Sequence, residues 1–258
     1  MLKLATNSDI DAILDFCDGD LLGTRIACYC LSYGFEYDFL SIWYDDSKGC
    51  VETVIAKFYD CITVKSESDD VQEVADFIKM IGFTSLECDF RLSKKLGFEA
   101  CDIKKGYVFD GIAENLGAEN LGEEHYKALY DLVSLNIPGS FNSTKEAYLS
   151  FLSDLTYKSR RGLARCKGIV IDGKLVSSVI TAAETSNCAL LSAVASDADL
   201  RGRGLGKKTV LTIADELIKE NKKIFVIALN KSAEGFYAQI RLRLEHLCVQ
   251  QQLLVEKF

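Results

Sequence analysis

The chain has 258 residues, 48% hydrophobic and 26% charged, enough to bury one large core or two smaller ones and too apolar for a disordered chain. A formal net charge of −8 argues against nucleic acid as the main partner, and the lack of any run of 18 apolar residues or of a basic region followed by an apolar run leads us to expect a cytoplasmic protein with no membrane association. Ten scattered cysteines, no Cys-x-x-Cys and only two histidines, His125 and His246, point to reduced thiols packed as small hydrophobes and away from a disulfide framework or a metal site.

Charge divides the chain: residues 1–120 carry 23 acids and 11 bases, and residues 121–258 carry 15 and 19. The first half opens with a short strand, Leu2–Leu4, and a helix whose apolar positions 10, 13, 14 and 17 have helical spacing, capped by Ser8 or Asp9. Phe39–Tyr44 and Val51–Ala56 flank Asp45-Asp-Ser-Lys-Gly49 and read as a hairpin. A strand at Cys61–Val64 leads through Ser66-Glu-Ser-Asp-Asp70 into a helix over Val71–Ile81, and Arg91–Phe98 and Gly106–Phe109 close the half. The polar, glycine-bearing stretch from Asp110 to Glu124 marks the boundary between domains 1–115 and 116–258.

The second half begins with a helix over Tyr126–Leu135, broken at Pro138-Gly139. Ser143-Thr-Lys-Glu146 is a capping box for the next helix, with Tyr148, Leu149, Leu152 and Leu155 on its buried stripe. Strands Gly168–Ile171 and Leu175–Ala182 are joined by Asp172-Gly173, the strongest short hairpin signal in the chain. Strand Ala189–Ala195, helix Gly204–Glu220, strand Ile224–Leu229 and helix Lys231–Ile240 complete a mixed α/β pattern.

Three glycines alternate in Arg201-Gly-Arg-Gly-Leu-Gly206, between an apolar strand and a helix buried through Val210, Ile213, Ala214, Leu217 and Ile218. A helix start leaves backbone N–H groups without partners, and residues lacking side chains let phosphate oxygens approach them. Arg203, Lys207 and Lys208 add positive charge. A Walker A loop would need glycine at Arg201 and Ser or Thr at Lys208, and a dinucleotide fingerprint would need its third glycine at Lys207, so both are excluded.

The run Val194-Ala-Ser-Asp-Ala-Asp-Leu-Arg-Gly-Arg-Gly-Leu-Gly206 resembles the central signature of the GNAT acyltransferase superfamily: Arg or Gln, two residues, Gly, one residue, then Gly or Ala. The resemblance covers about 140 residues and implies an α+β fold, a mixed and mostly antiparallel central sheet flanked by helices. It implies acetyl-CoA as cosubstrate, with main-chain groups of Val194, Ala195 and Ser196 on the pantetheine arm. The amides of Gly202, Arg203, Gly204, Leu205 and Gly206 would then hold the pyrophosphate, with Arg201 and Lys207 in the same site. Asn230-Lys-Ser-Ala-Glu-Gly-Phe-Tyr237 is similar to the Asn…Ala…Tyr segment of the family. By that likeness Asn230 borders the cofactor and Tyr237 protonates the departing thiolate, packing in the core being the other reading of Tyr237. The family's Gly-Phe after the tyrosine is replaced by Arg241-Leu242, so this helix end is expected to be built differently.

Glu184 and Glu234 are candidate general bases, each also readable as a solvated surface charge, and a water relay would need neither. Residues 1–110 resemble a decayed copy of the same fold. Cys88–Glu99 is similar to the end of such a domain, while the acids of Ser66–Asp70 stand where the glycines should be, so this half is expected to bind no CoA. The expected activity is acetyl transfer to a primary amine of a small molecule or peptide by direct attack in a ternary complex; the alternative is a noncatalytic CoA-binding regulatory module. The sequence leaves the acceptor and the oligomeric state open.

Overall fold

The structure, a computed structural model, describes residues 1–98, 102–137 and 144–252. Pro138-Gly139, Ser143 and Glu99, singled out above, lie outside these residues. In chain order the elements are β1 (Lys3–Leu4), α1 (Ile10–Cys17), α2 (Leu21–Tyr33), β2 (Leu40–Asp45), β3 (Thr53–Phe58), β4 (Cys61–Ser66), α3 (Gln72–Ile81), β5 (Ser85–Asp89), α4 (Phe90–Leu96) and β6 (Asp102–Phe109). There follow β7 (Glu119–Asn120), α5 (Tyr126–Asn136), α6 (Lys145–Arg160), β8 (Cys166–Ile171), β9 (Lys174–Glu184), β10 (Cys188–Ser196), α7 (Leu205–Lys219), β11 (Lys223–Ala228), α8 (Lys231–Gln239) and β12 (Leu242–Gln252). The second ten repeat the first ten in kind and order, so the chain is a tandem duplication of one α/β unit.

The chain forms two compact units, but not by one cut at 115/116. Unit 1 holds Met1–Tyr107 together with Ile227–Phe236 and the residues from Leu244 onward; unit 2 holds Val108–Val226 and Tyr237–Arg243. In unit 1 the strands run β1-β2-β3-β4-β5-β12-β6, so the last strand of the second repeat is built into the sheet of the first. In unit 2 they run β11-β10-β9-β8-β7. The β4–β5 and β10–β11 pairs are parallel and the hairpin neighbours are antiparallel.

Alternation of side chains across each sheet gives two apolar faces, which helices cover. In unit 1, Ile13, Cys17, Ile26 and Cys30 of α1 and α2 pack with Ile42, Val54 and Ala56, while Val74 and Ile78 of α3 pack with Ile55, Val64 and Leu86. In unit 2, Leu129 and Val133 of α5 and Leu155 of α6 pack with Cys166, Ile180 and Ala193, and Val210, Ile213, Ala214 and Leu217 of α7 are fully buried. Seven described cysteines, from Cys17 to Cys248, are buried and reduced, while Cys50 and Cys61 are exposed. No helix among the described residues is long and apolar enough to cross a membrane.

Candidate functional site

In unit 2 the sheet opens at one end. The parallel ladder of β10 and β11 runs from Cys188↔Lys223 to Leu191↔Val226 and stops there, although β10 continues to Ser196. Residues 192–196 therefore lack a strand partner on that side among the described residues. On the other side the pairing with β9 jumps from Ser192↔Ile180 to Ala195↔Ser178, three steps on β10 against two on β9. This is a bulge, and Ala193 takes the left-handed backbone at φ 50° that makes it possible. The Ser178 hydroxyl donates to the Ala193 carbonyl at 3.0 Å and holds the distortion in place. Val194, Ala195 and Ser196 thus come directly after a bulge on an open strand edge, where the main-chain groups not taken by β9, or by the Ser177 hydroxyl that donates to the Ala195 carbonyl at 3.2 Å, face no strand.

Asp197 ends β10 and shapes the turn beyond it. Its carboxylate accepts from the Asp199 amide at 3.0 Å and pairs with Lys174 at 2.6 Å, and the Lys174 ammonium holds its pKa below the usual carboxylate range. The chain then turns through Gly202 at φ 79° and Gly204 at φ 76° into α7, and open space surrounds both glycines where a Cβ would be. The first amide of the helix with a helical partner is that of Lys208, donating to Gly204 at 3.0 Å. Among the described residues no acceptor lies on the six amides from Gly202 to Lys207, and Arg203, Lys207 and Lys208 are exposed and in no ion pair. Six open donors and three unneutralised cations at a helix start suit a diphosphate. Arg201 stands apart, because its guanidinium donates to the Asn136 carbonyl at 3.1 Å and so ties the loop to the C-terminal end of α5.

Beneath the loop runs a hydroxyl cluster that was not recognised from the sequence. Thr209 Oγ1 lies 2.9 Å from both Leu205 O and Ser177 Oγ, and Ser177 Oγ lies 3.1 Å from Ser196 Oγ. These contacts pin the first turn of α7 to β9 and to the open end of β10. The signal was present as polar residues, Ser177, Ser178 and Thr209, inside otherwise apolar segments.

The remaining candidates are placed differently. Tyr237, in the same unit, is 5% exposed, and burial raises its pKa well above that of an ordinary tyrosine. Asn230 and Glu234 belong to unit 1. The Asn230 side chain accepts from the Ala233 amide at 2.9 Å and caps α8, while Glu234 pairs with Lys105 at 2.5 Å. Glu184 is no solvated charge: it is 1% exposed and bound by Arg165, by Lys222 at 2.6 Å and by Thr181 at 3.0 Å. Its β10 partner is Ala189, seven residues from Ser196, which puts it roughly 20 Å along the strand from the open end. A carboxylate saturated by two cations and a hydroxyl so far away is a structural anchor. The expected difference at the end of α8 is also corrected. Arg241 has φ 63° and its amide donates back to Ala238, as Gly97 has φ 70° and donates back to Lys94, so the backbone turn is kept without the glycine.

The amides of the equivalent loop of the first repeat are taken up by two of its own side chains and by a neighbouring carbonyl. Ser66 Oγ accepts from the Ser68 amide, Asp70 from the Gln72 amide, and the Glu67 amide donates to Glu52 O. Beside it Asp20, Glu67 and Asp89, with Lys65 and His246, line a cavity of 180 Å³, where three carboxylates against one lysine disfavour phosphate.

Residues 126–241 match the model of the Acetyltransferase (GNAT) family. Similar solved structures include an acetyltransferase from the GNAT family of Colwellia psychrerythraea, with TM-score 0.61 and 12% identity over 98% of this chain and 99% of that one. A tandem GNAT protein from the clavulanic acid biosynthesis pathway gives TM-score 0.61 and 15% identity over 97% of each chain. A GCN5-related N-acetyltransferase from Sphaerobacter thermophilus gives TM-score 0.61 and 12% identity over 98% and 95%. At such identities the likeness speaks for the fold. No curated protein matches the chain.

Proposed function

We propose, from the match of residues 126–241 to the GNAT acetyltransferase family, that the chain is an acetyl-CoA-dependent N-acetyltransferase acting on a primary amine. The observation that carries the reading is the loop Arg201–Gly206 leading into α7, with six open amides from Gly202 to Lys207. These amides, with Arg203 and Lys207, would hold the diphosphate, and the open edge of β10 at Val194–Ser196 would pair with the amide-bearing arm. Bound acetyl-CoA supplies the activated acetyl group to an amine held in the same complex, so that positioning accounts for much of the rate.

An amide near the Ala193 bulge is suited to receive the charge that develops on the acyl oxygen. Tyr237 is the proposed proton donor to the leaving sulfur. Burial keeps its phenol protonated throughout the neutral range, and it also makes the phenol a weaker acid, so transfer to a thiolate of ordinary pKa about 8.5 requires a site dry enough to raise the thiol as well. Glu184 and Glu234, both committed to ion pairs, are left out of the chemistry, and a water relay removes the proton from the amine.

Titration of acetyl-CoA into the wild type and Gly204→Asp tests the loop, since a carboxylate among the amides should abolish binding. Release of free thiol across a panel of polyamines, amino sugars, amino acids and peptides then separates an enzyme from a CoA-binding regulatory module, which would bind and release none. Undiminished turnover in Tyr237→Phe would remove Tyr237 from the mechanism.

A further inference from the structure

Unit 1 carries an aromatic surface that the acyl chemistry does not use. The turn after α2 and the turn between β3 and β4 bring Tyr37, Phe39 and Tyr59 together. Phe39 is stacked with both others, at 5.0 Å and 22° from Tyr37 and at 5.3 Å and 16° from Tyr59. Tyr33 stands edge-on to Tyr37 and Phe39, and Phe58 edge-on to Tyr59, anchoring the group on the core of the unit. The outer rings remain open to solvent, Tyr37 being 46% and Tyr59 57% exposed.

The backbone of the turn does not favour Tyr59 where it is. Phe58 pairs with Cys61, so Tyr59-Asp60 is a two-residue hairpin loop, and Tyr59 has φ 52°, the first loop position where glycine is favoured. A bulky ring in left-handed backbone, half out in water, contributes little that a glycine would not contribute to this turn. The charges around the rings are of one sign. Glu36 and Asp38 flank Tyr37, Asp60 comes directly after Tyr59, and all three are exposed. Among the described residues none of the three carboxylates makes an ion pair.

Ring faces beside unneutralised carboxylates favour a guanidinium or ammonium on a long apolar stem, which stacks on the ring while its charge meets the acid, and they disfavour anions. The surrounding sequence adds a field of the same sign, with 23 acids against 11 bases in residues 1–120. The geometry points to Tyr37, Phe39 and Tyr59, with Glu36, Asp38 and Asp60, as the docking surface for a basic polypeptide segment that carries at least two Arg or Lys side chains. Two aromatic–acid pairs, one at each end of the ring group, call for two basic side chains.

The test uses the full chain and a fluorescein-labelled dodecapeptide alternating Arg or Lys with Gly or Ser, followed by anisotropy at low and high salt, with a matched Glu peptide as control. The basic peptide should bind, more weakly at high salt, and the Glu peptide should not. Tyr59→Gly and Tyr37→Ser should each weaken binding about tenfold, and the paired change Asp38→Asn with Asp60→Asn should reduce its salt dependence. Tyr59→Gly relieves the turn while removing the ring contacts to Phe39 and Phe58, and a cooperative melt well above the assay temperature shows that its loss of binding is not unfolding. Gly204→Asp should leave peptide binding unchanged, which keeps this surface distinct from the acyl-donor loop. Equal affinity for the Glu peptide, unchanged binding in both tyrosine variants, or sedimentation showing that two copies of the chain associate through these rings would each overturn the assignment.

Discussion

Glu184 shows how far a side chain's sequence position can lie from its role. At the end of an apolar strand it could be read as a base or as a surface charge, yet it is buried against Arg165 and Lys222. Removing one partner from such a cluster leaves charge without compensation. Glu184→Ala should therefore lower stability by about 2–4 kcal/mol in urea unfolding, with turnover per folded molecule retained; a base would instead show a loss of about 10²–10⁴ in rate. The same cluster sets an acid limit through Glu220, whose pKa is depressed to about 2, first by its hydrogen bonds to Arg165 and then by Lys222. Since the folded value is the lower one, the stabilisation is present above the unfolded carboxylate range near 4.5 and is lost as pH falls toward 2. Glu220→Gln should flatten stability against pH within that window. The side chain is 42% exposed, so solvent screens the effect to less than about 1 kcal/mol, and an unaltered slope would show that the pair is not formed in solution.

At the scale of elements, legibility tracked periodicity. The Asp172-Gly173 turn is as expected, with φ 51° and 77° at its two residues, and the helix of the loop motif begins at Leu205, one residue from the expected start. Helix α2 escaped notice because it is buried nearly all round, from Leu21 and Leu22 through Ile26, Ala27, Cys28 and Cys30, and an element without a polar face gives no amphipathic signal. Strand β5 was hidden by Glu87, a charge that is tolerated inside because Arg25 pairs with it. The bulge at Ala193 could not be read either, since alanine gives no sign that it will adopt left-handed backbone. Packing of α2 on α1 rests on Gly23, where a Cβ would lie 2.1 Å from the Cys17 carbonyl oxygen and under 3 Å from two further backbone atoms of Cys17. Backbone cannot yield as a side-chain tip can, so Gly23→Ala should cost about 3 kcal/mol or more. Gly235, in α8 with nothing near its missing Cβ, provides the contrast, because alanine there should raise helix stability by about 0.5–1 kcal/mol. Equal unfolding midpoints for the two variants would refute the close approach of α1 and α2.

For the whole molecule, a single boundary in the polar stretch near residue 115 leaves out how the duplicated parts are completed. Composition carries no mark of which sheet a strand joins, because β6 and β12 both mix charged or polar residues with apolar ones and neither pattern names a partner strand. In the structure β12 pairs with β5, Cys248 opposite Asp89 and Gln250 opposite Glu87, and His246 packs against Gly106 at a distance where a Cβ on the glycine would lie 3.0 Å from its own. Unit 1 is thus completed by β12, a strand of the second repeat. A chain ending before Leu244 keeps every residue of the loop Arg201–Gly206 yet leaves β5 an open edge, with the buried Leu86 and Cys88 on a strand paired on its β4 side alone. Hydrogen exchange should then show protection lost across residues 85–89 and restored by a peptide spanning residues 243–252 added in trans, as donor strands restore incomplete sheets. Protection at Leu86 and Cys88 unchanged by the truncation would mean that unit 1 closes its sheet without the second repeat.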